Sequence, residues 1–446
     1  GGVMRHADAL AARPRGAGSE AGRSGRAVAA ALVVAALAVV ATAPDFDGDA
    51  AARPSARDAA SSAIRIRPES APPRVARAPA GDEVPLDDLP PYDAAFAARA
   101  YTPAAVDDDP EVKAAAEGAL RWLARAQGPD GAWRQDLGHK AQEDYQVTRS
   151  ARPHVGVTAL ALMAFLAGGH LPGRGPYGKV VEKGTDFVLS CVDAQDGYVA
   201  FEGSRMYSHA FATLFLAEIL GMTHRADVKD KLQRAANLSA ASQNDAGSWR
   251  YEPYSPESDM SITVCQVMAL RAARNVGVRV NKRTIDRAYD YVVRSAETSG
   301  PERGGFHYQE KERTRTSFAL TAAGVATLHH TGVYDHDLVR AGEAYLRREF
   351  EGFHRRYAGH FFYWYGHYYA AQVFFTGSDP SDPSRDGWGS FYWPGIRRQL
   401  LGLMQASPRD ATAHWRNTVG PGDVFSTAVA AIILQIPYQY LPIFQR

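Results

Sequence analysis

The 446-residue chain carries 50 Lys plus Arg against 49 Asp plus Glu, so no bulk charge favours a nucleic acid or an acidic partner. Its two cysteines, Cys191 and Cys265, lie in apolar helical patterns without CxxC or metal-finger spacing. That excludes a disulfide scaffold and reads as two buried free thiols. The length has room for two or three average domains, or for one large domain behind a tail.

The N-terminus comes first. Residues 1–26 are basic, with Arg5, Arg13, Arg15, Arg23 and Arg26, and precede the uncharged run AVAAALVVAALAVVATA at 27–43. Asp45, Asp47 and Asp49 follow. A basic flank, an apolar core and an acidic exit describe a signal peptide or a single transmembrane anchor, with the C-terminal domain outside the cytoplasm. Both forms stay open: Ala41 and Ala43 resemble a cleavage site, while Pro44 directly after them would hinder a peptidase. Residues 44–108 are rich in Ala, Pro, Arg and Asp and cannot bury a core, so they read as a disordered linker.

From residue 109 to 446 a repeat takes over. ALRWLARAQGPDGAW (119–133) and AANLSAASQNDAGSW (235–249) each place a Gln six residues before a Trp, with a polar Gly-containing turn between. Weaker copies end near Phe201, Phe306, Tyr363 and Trp415, so an aromatic anchor recurs about every 57 residues. Each unit carries two helical patterns. The second is the more apolar, as in HVGVTALALMAFLAGG, DMSITVCQVMALRAA and DVFSTAVAAIILQ, whereas first helices such as DRAYDYVVRSAE keep a charged face. Helices apolar all round belong inside and amphipathic ones outside. The fold class expected is therefore all-α, an (α/α)6 toroid in which six inner helices alternate with six outer ones. Within it the Gln is expected to cap the last carbonyls of the outer helix, with the indole packed under the turn.

QGPDGAW and QNDAGSW resemble the Gln-Trp repeat of squalene and hopene cyclases, and the six-hairpin count resembles the wider terpenoid cyclase and protein prenyltransferase toroid. The resemblance spans roughly residues 110–446. It implies the toroid and, more weakly, an apolar, isoprenoid-like ligand, because one fold hosts many functions.

Aligned inner helices give a polar column near their N-termini: His154, His209, Asp259, Thr314, Tyr365 and Asp423. One turn later come Thr158, Thr213, Thr263, Phe318, Tyr369 and Thr427. Tyr207, Phe361, Trp364, His367 and Tyr368 crowd the same end. A polar ring above an aromatic well is what a pocket for an apolar ligand needs. Each residue also has a plain structural role open to it, since Asp259 and Asp423 are good N-caps and buried Thr often bonds back to its own helix.

By resemblance, Glu257-Ser258-Asp259-Met260 falls where the cyclases carry DxDD. Asp259 then takes the place of the proton donor and Glu257 that of the first acid, while Met260 replaces the last Asp. His154, His209, Tyr365, His367 and Asp423 would tune or bind, with Phe361, Trp364 and Trp249 lining the well. Prenyltransferases hold zinc through Asp, Cys and His, and Asp259 and His367 match two of these. Cys265, however, lies about 600° around the helix from Asp259, on another face. No metal or cofactor is expected. Asp259 with Asp423 as a glycosidase pair is a further alternative. Two functions stand side by side: acid-initiated cyclisation by Asp259, and a non-catalytic exported binding or scaffold domain that keeps the toroid. A lipid or other apolar small molecule is the expected ligand. The membrane is met through residues 27–43, and the sequence names no protein partner.

Overall fold

The computed structural model describes residues 109–444, apart from Gln142, His224, Pro380 and Ser381; the expected signal or anchor segment and linker lie outside these. Among the described residues are twelve α-helices. Six form the outer layer: α1 (Pro110–Ala126), α3 (Gly178–Ser190), α5 (Ala226–Ala241), α7 (Lys282–Arg294), α9 (Asp337–Tyr357) and α11 (Trp393–Leu403). The six between them are α2 (Val155–Ala167), α4 (Met206–Met222), α6 (Met260–Asn275), α8 (Phe318–His330), α10 (Phe361–Gly377) and α12 (Asp423–Gln435). Each even-numbered helix packs on the next, and α12 returns to α2, so the inner ring is closed. None of the described helices is long and apolar enough to cross a membrane.

The layering follows from side-chain chemistry. All 13 residues of α2 are buried, whereas α7 buries only Thr284, Ala288, Tyr291 and Val292. The first helix can be surrounded on all sides; the second must keep a face in water. His154 caps α2 by accepting the Val157 N–H, and Gly169 ends it in a left-handed conformation (φ +79°).

The Gln and Trp of the repeat exchange the roles expected of them. The indole N–H supplies the cap: Trp133 donates to the Leu123 carbonyl at 2.8 Å and Trp249 to that of Ser239 at 2.7 Å. Trp415 does the same to Leu400 at 2.7 Å. The Gln reaches outward instead. Gln127 donates to Gly131 and to Val180 of α3, and Gln243 to Gly247 and to Thr284 of α7. Each Gln thus ties its own turn to the next outer helix, because the amide has two donors and the turn turns away from the helix it ends. Gly131 (φ +84°) and Gly247 (φ +87°) sit so close to that next helix that a Cβ would lie 2.2 Å from the Lys183 carbonyl oxygen or 2.1 Å from that of Arg287. Only glycine fits on both counts.

Two expectations are corrected. The domain is not purely α: three two-stranded antiparallel hairpins link outer to inner helices, β1 (Arg134–Ala141) with β2 (Asp144–Pro153), β3 (His307–Gln309) with β4 (Glu312–Thr316), and β5 (Met404–Ser407) with β6 (Thr412–Trp415). β2 is largely solvent-facing and β1 mostly half-buried, while β3 to β6 have only three to five residues each, so none leaves a long apolar run in the sequence. The fifth unit also has no Gln-Trp turn, because α9 passes to α10 through Ala358–His360 and Tyr363 lies inside α10. In the second unit the bridge to Val192 is made by Val199, not Phe201.

Candidate functional site

The N-terminal ends of the inner helices share one end of the ring, the mouth. Asp259 is the N-cap of α6 and is fully buried (0% exposed). Its Oδ1 accepts the Ser261 N–H at 2.7 Å and the Ser261 hydroxyl at 2.5 Å. Its Oδ2 faces the Arg250 guanidinium at 3.4 Å. The peptide N–H of Asp259 is itself held by Ser248 Oγ at 3.1 Å, which contacts Thr263 Oγ1 at 2.7 Å. Every side chain that reaches this carboxylate brings a donor.

Phenols converge on the same turn. Tyr207 donates to Ser261 Oγ at 2.6 Å and Tyr365 to the Ser261 carbonyl at 3.3 Å. The Tyr251 and Tyr308 hydroxyls meet at 2.6 Å, and the Arg250 guanidinium lies 4.7 Å and 5.7 Å from their two ring centres. Burial pushes the Tyr251 phenol up to about 12, with the Asp259 charge adding to it, and drives Tyr308, Tyr207 and Tyr365 upward for the same leading reason. All four therefore remain hydroxyls at neutral pH. Above them crosses the β1–β2 hairpin. Lys140 lies 5.1 Å from the Tyr308 ring centre and 5.0 Å from that of Phe362. At the hairpin tip Glu143 bonds Arg356 (2.8 Å) and Tyr357 (3.0 Å), and its carbonyl meets His360 Nε2 at 2.7 Å. The hairpin of the first unit is thus fastened to the fifth.

Below this floor the barrel is filled. Tyr369 Oη meets Cys265 Sγ at 3.0 Å, Tyr368 lies over Met268, and Phe211 packs edge-on to Tyr368. Burial raises the Cys265 thiol to about 12, which keeps it an inert core group. The aromatic side chains here pack on one another and on Cys265 and Met268.

The expected site residues divide accordingly. Asp259 and Tyr365 each bond Ser261 at the mouth, and half-buried Phe361 borders it beside Phe362 and Tyr145. His154 caps α2 at the mouth end, and burial lowers its imidazole to about 4. Glu257 is exposed and accepts from Ser255, outside the buried cluster, so it gives Asp259 no acidic partner. Asp423 opens α12 and holds the Asn417 N–H at 2.8 Å. His209 faces the outer layer, bonding the Val199 N–H at 3.1 Å and Ser239 Oγ at 3.0 Å. His367 is boxed by Phe318, Phe350, Phe353, Tyr363 and Tyr392, with Nδ1 2.9 Å from the Tyr392 hydroxyl; it points away from the mouth. Trp249 and Trp364 are wall residues, fully buried.

The aligned column is also out of register. The true caps are His154, Asp259, Ser317 and His360, while His209 occupies the position of Thr158, Thr263 and Thr321. Thr314 belongs to β4 and Tyr365 lies a turn inside α10. Among the described residues no group of three or more His, Cys, Asp or Glu could hold a metal ion. Asp259 and His367 do not meet.

Arg250, Tyr251, Tyr308, Ser261 and Lys140 are the mouth residues that sequence reasoning missed. A signal was present for two of them. Tyr251 follows Trp249 by two residues and Tyr308 follows Phe306 by two, so in an extended turn both side chains leave the wall on the anchor's side.

The chain resembles solved toroid structures. A cellobiose 2-epimerase from Bacillus thermoamylovorans matches at TM-score 0.52 and 12% identity, over 74% of this chain and 99% of that one. A D-mannose isomerase matches at TM-score 0.51 and 12% identity, over 75% and 99%. A type II terpene cyclase from Scytonema is a looser match, at TM-score 0.45 and 14% identity over 74% and 98%. At such identities the likeness shows the (α/α)6 toroid fold and no chemistry. No protein-family model matches the sequence, and no curated protein does.

Proposed function

We propose that this toroid is a non-catalytic binding domain whose ligand lies on the phenol floor of the mouth, beneath the β1–β2 hairpin, with Asp259 as an anchor and not an acid. One observation carries this reading: the carboxylate of Asp259 is engaged by the Ser261 N–H, the Ser261 hydroxyl and Arg250. A cyclase needs a carboxyl that hands its proton to a substrate. Here the Ser261 N–H, the Ser261 hydroxyl and Arg250 all donate to Asp259, which is fully buried.

The ligand class supported is an amphiphile. Phe361, Phe362 and the phenol faces offer apolar surface, while Lys140 and the phenol hydroxyls suit an anionic or hydroxylated head. An isoprenoid-like chain meets this description if it lies across the mouth, because the barrel interior is filled. Export or anchoring through residues 27–43 remains part of the proposal and fits a domain that captures a lipid-like molecule at a membrane surface.

The test is isothermal titration of the full chain with farnesyl phosphate and with farnesol. The phosphate is expected to bind more tightly, and Lys140→Ala to abolish the difference. Failure of both probes to bind a folded chain contradicts the reading. Acid-initiated cyclisation is the second reading, favoured by the Tyr207–Ser261–Asp259 hydrogen-bonded chain, which could pass a proton inward.

A further inference from the structure

The end of the barrel opposite the mouth is closed by the chain's own C-terminus. After α12 ends at Gln435, Pro437 and Pro442 prevent further helix, and two short 3-10 turns follow, Ile436–Tyr438 and Pro442–Phe444. Between them Gln439 adopts a left-handed conformation (φ +53°), which turns the chain back over the ring. The Pro442–Phe444 turn touches both α4 and α10. Those helices stand on opposite sides of the inner ring, so the turn lies across its axis.

What lies beneath is polar. Glu218 of α4 is 1% exposed, in an otherwise apolar stretch, and its Oε2 accepts the Ile443 N–H at 3.1 Å. Ile443 lines a small niche together with Arg271 of α6, His329 and His330 of α8, and Gln372 and Thr376 of α10. Arg271 donates to the His329 carbonyl at 2.5 Å and the Tyr334 hydroxyl at 2.9 Å, and His330 meets Gln372 at 3.3 Å. The space left over is about 10 Å³, room for one water. Packing alone does not call for these groups, since buried polar side chains cost stability unless they are satisfied. A buried carboxyl that holds a backbone N–H beside a polar niche grips the main chain of a peptide and not only its side chains.

We infer that the C-terminal ends of the inner helices form a second binding site, independent of the mouth, which takes a short peptide turn that carries apolar side chains. Residues Leu441–Ile443 fill it in cis as a displaceable stopper. The segment is built to leave. Leu441 and Ile443 are its buried anchors, one hydrogen bond fixes it to Glu218, and Tyr440 between the two turns is 51% exposed. No strand ladder ties it to the barrel. A segment held to the rest of the fold by few hydrogen bonds opens at lower cost than helices whose backbone is bonded throughout. Its release would uncover Glu218 and the floor of the niche to the same kind of sequence from another source.

The experiment uses the full chain and a fluorescein-labelled peptide, YQYLPIFQR, copied from residues 438–446. Ile443→Asp evicts the cis segment, because a charged carboxylate is costly to bury where the Ile443 side chain packs. Fluorescence anisotropy is expected to show the peptide binding this variant about tenfold or more tighter than wild type, since the competing occupant is gone. Adding Glu218→Leu should remove the gain. Equal binding, or none, to two chains with the same helical circular dichroism would overturn the inference. If Ile443→Asp does not fold, hydrogen exchange of the wild-type chain decides. Amides of residues 438–444 should exchange about a hundredfold faster than those of α4 and α10. Equal protection would make the segment part of the core and end the proposal.

Discussion

Asp259 and Glu218 are both buried carboxyl groups on inner helices, at opposite ends of one ring, and their surroundings differ in every respect. Asp259 sits at a helix N-terminus amid a serine hydroxyl, a peptide N–H and a guanidinium. Glu218 sits near the end of α4 with one peptide N–H, and burial pushes its carboxyl up to about 8. The same functional group is therefore held by three donors at the mouth and by one at the closed end. Helix polarity and local donors set this difference, and the residue type does not.

Arg250→Ala gives the largest expected effect. It leaves the fully buried Asp259 without its cation and should cost about 3–5 kcal/mol in urea unfolding. Asp259→Asn should cost only about 1 kcal/mol, because Asn still caps α6 and Arg250 keeps its two phenol faces. Equal losses would break the claim that the carboxylate depends on the cation more than the reverse.

The second effect is a pH dependence confined to the other end. The folded chain holds the Glu218 proton until about pH 8, whereas the unfolded chain releases it near the ordinary glutamate value of 4.5. The native state thus binds more protons across that window, and stability falls as pH rises from about 4.5 to 8, then levels. The slope is at most about 1.4 kcal/mol per pH unit. Tyr368 of α10 is the titratable group that feels Glu218, and Arg271, His329 and His330 lie across the Ile443 niche. The difference in unfolding free energy between wild type and Glu218→Gln, measured from pH 5 to 9, should carry this slope. A flat difference would place Glu218 in water.

A smaller effect tests the frame shared by both ends. Gln243→Ala removes one hydrogen bond within the third unit's turn and one that joins that turn to α7, and should cost about 1–2 kcal/mol. Smallest of all, Tyr308→Phe should cost about 1 kcal/mol through the lost Tyr251 contact, and leave the Glu218 pH dependence untouched. A change in that dependence would mean that the two ends are coupled.

Much of the frame was legible in the sequence. The contrast between α2, buried all round, and α7, amphipathic, is written in composition, and QGPDGAW and QNDAGSW mark the turns. The mouth was only partly legible. Asp259 stood out as a polar residue before an apolar helix, but its partners Arg250, Tyr251 and Tyr308 come from extended turns whose convergence depends on the curvature of the ring. The register slipped at Tyr365 because the fifth unit has no turn to count from, and at His209 because α4 begins at Met206 with no side-chain cap. At the closed end, the lone Glu218 in FATLFLAEILG was the available signal, a carboxyl in a helix that is otherwise apolar.

The most direct measurement incubates wild type and Asp259→Asn with farnesyl phosphate and follows the probe by mass spectrometry and chromatography. The account predicts that both chains bind it with dissociation constants within about threefold of each other and return it unchanged. A cyclised or isomerised product made by wild type and absent from the Asn variant, at matched melting temperatures, would contradict the account and make Asp259 an acid.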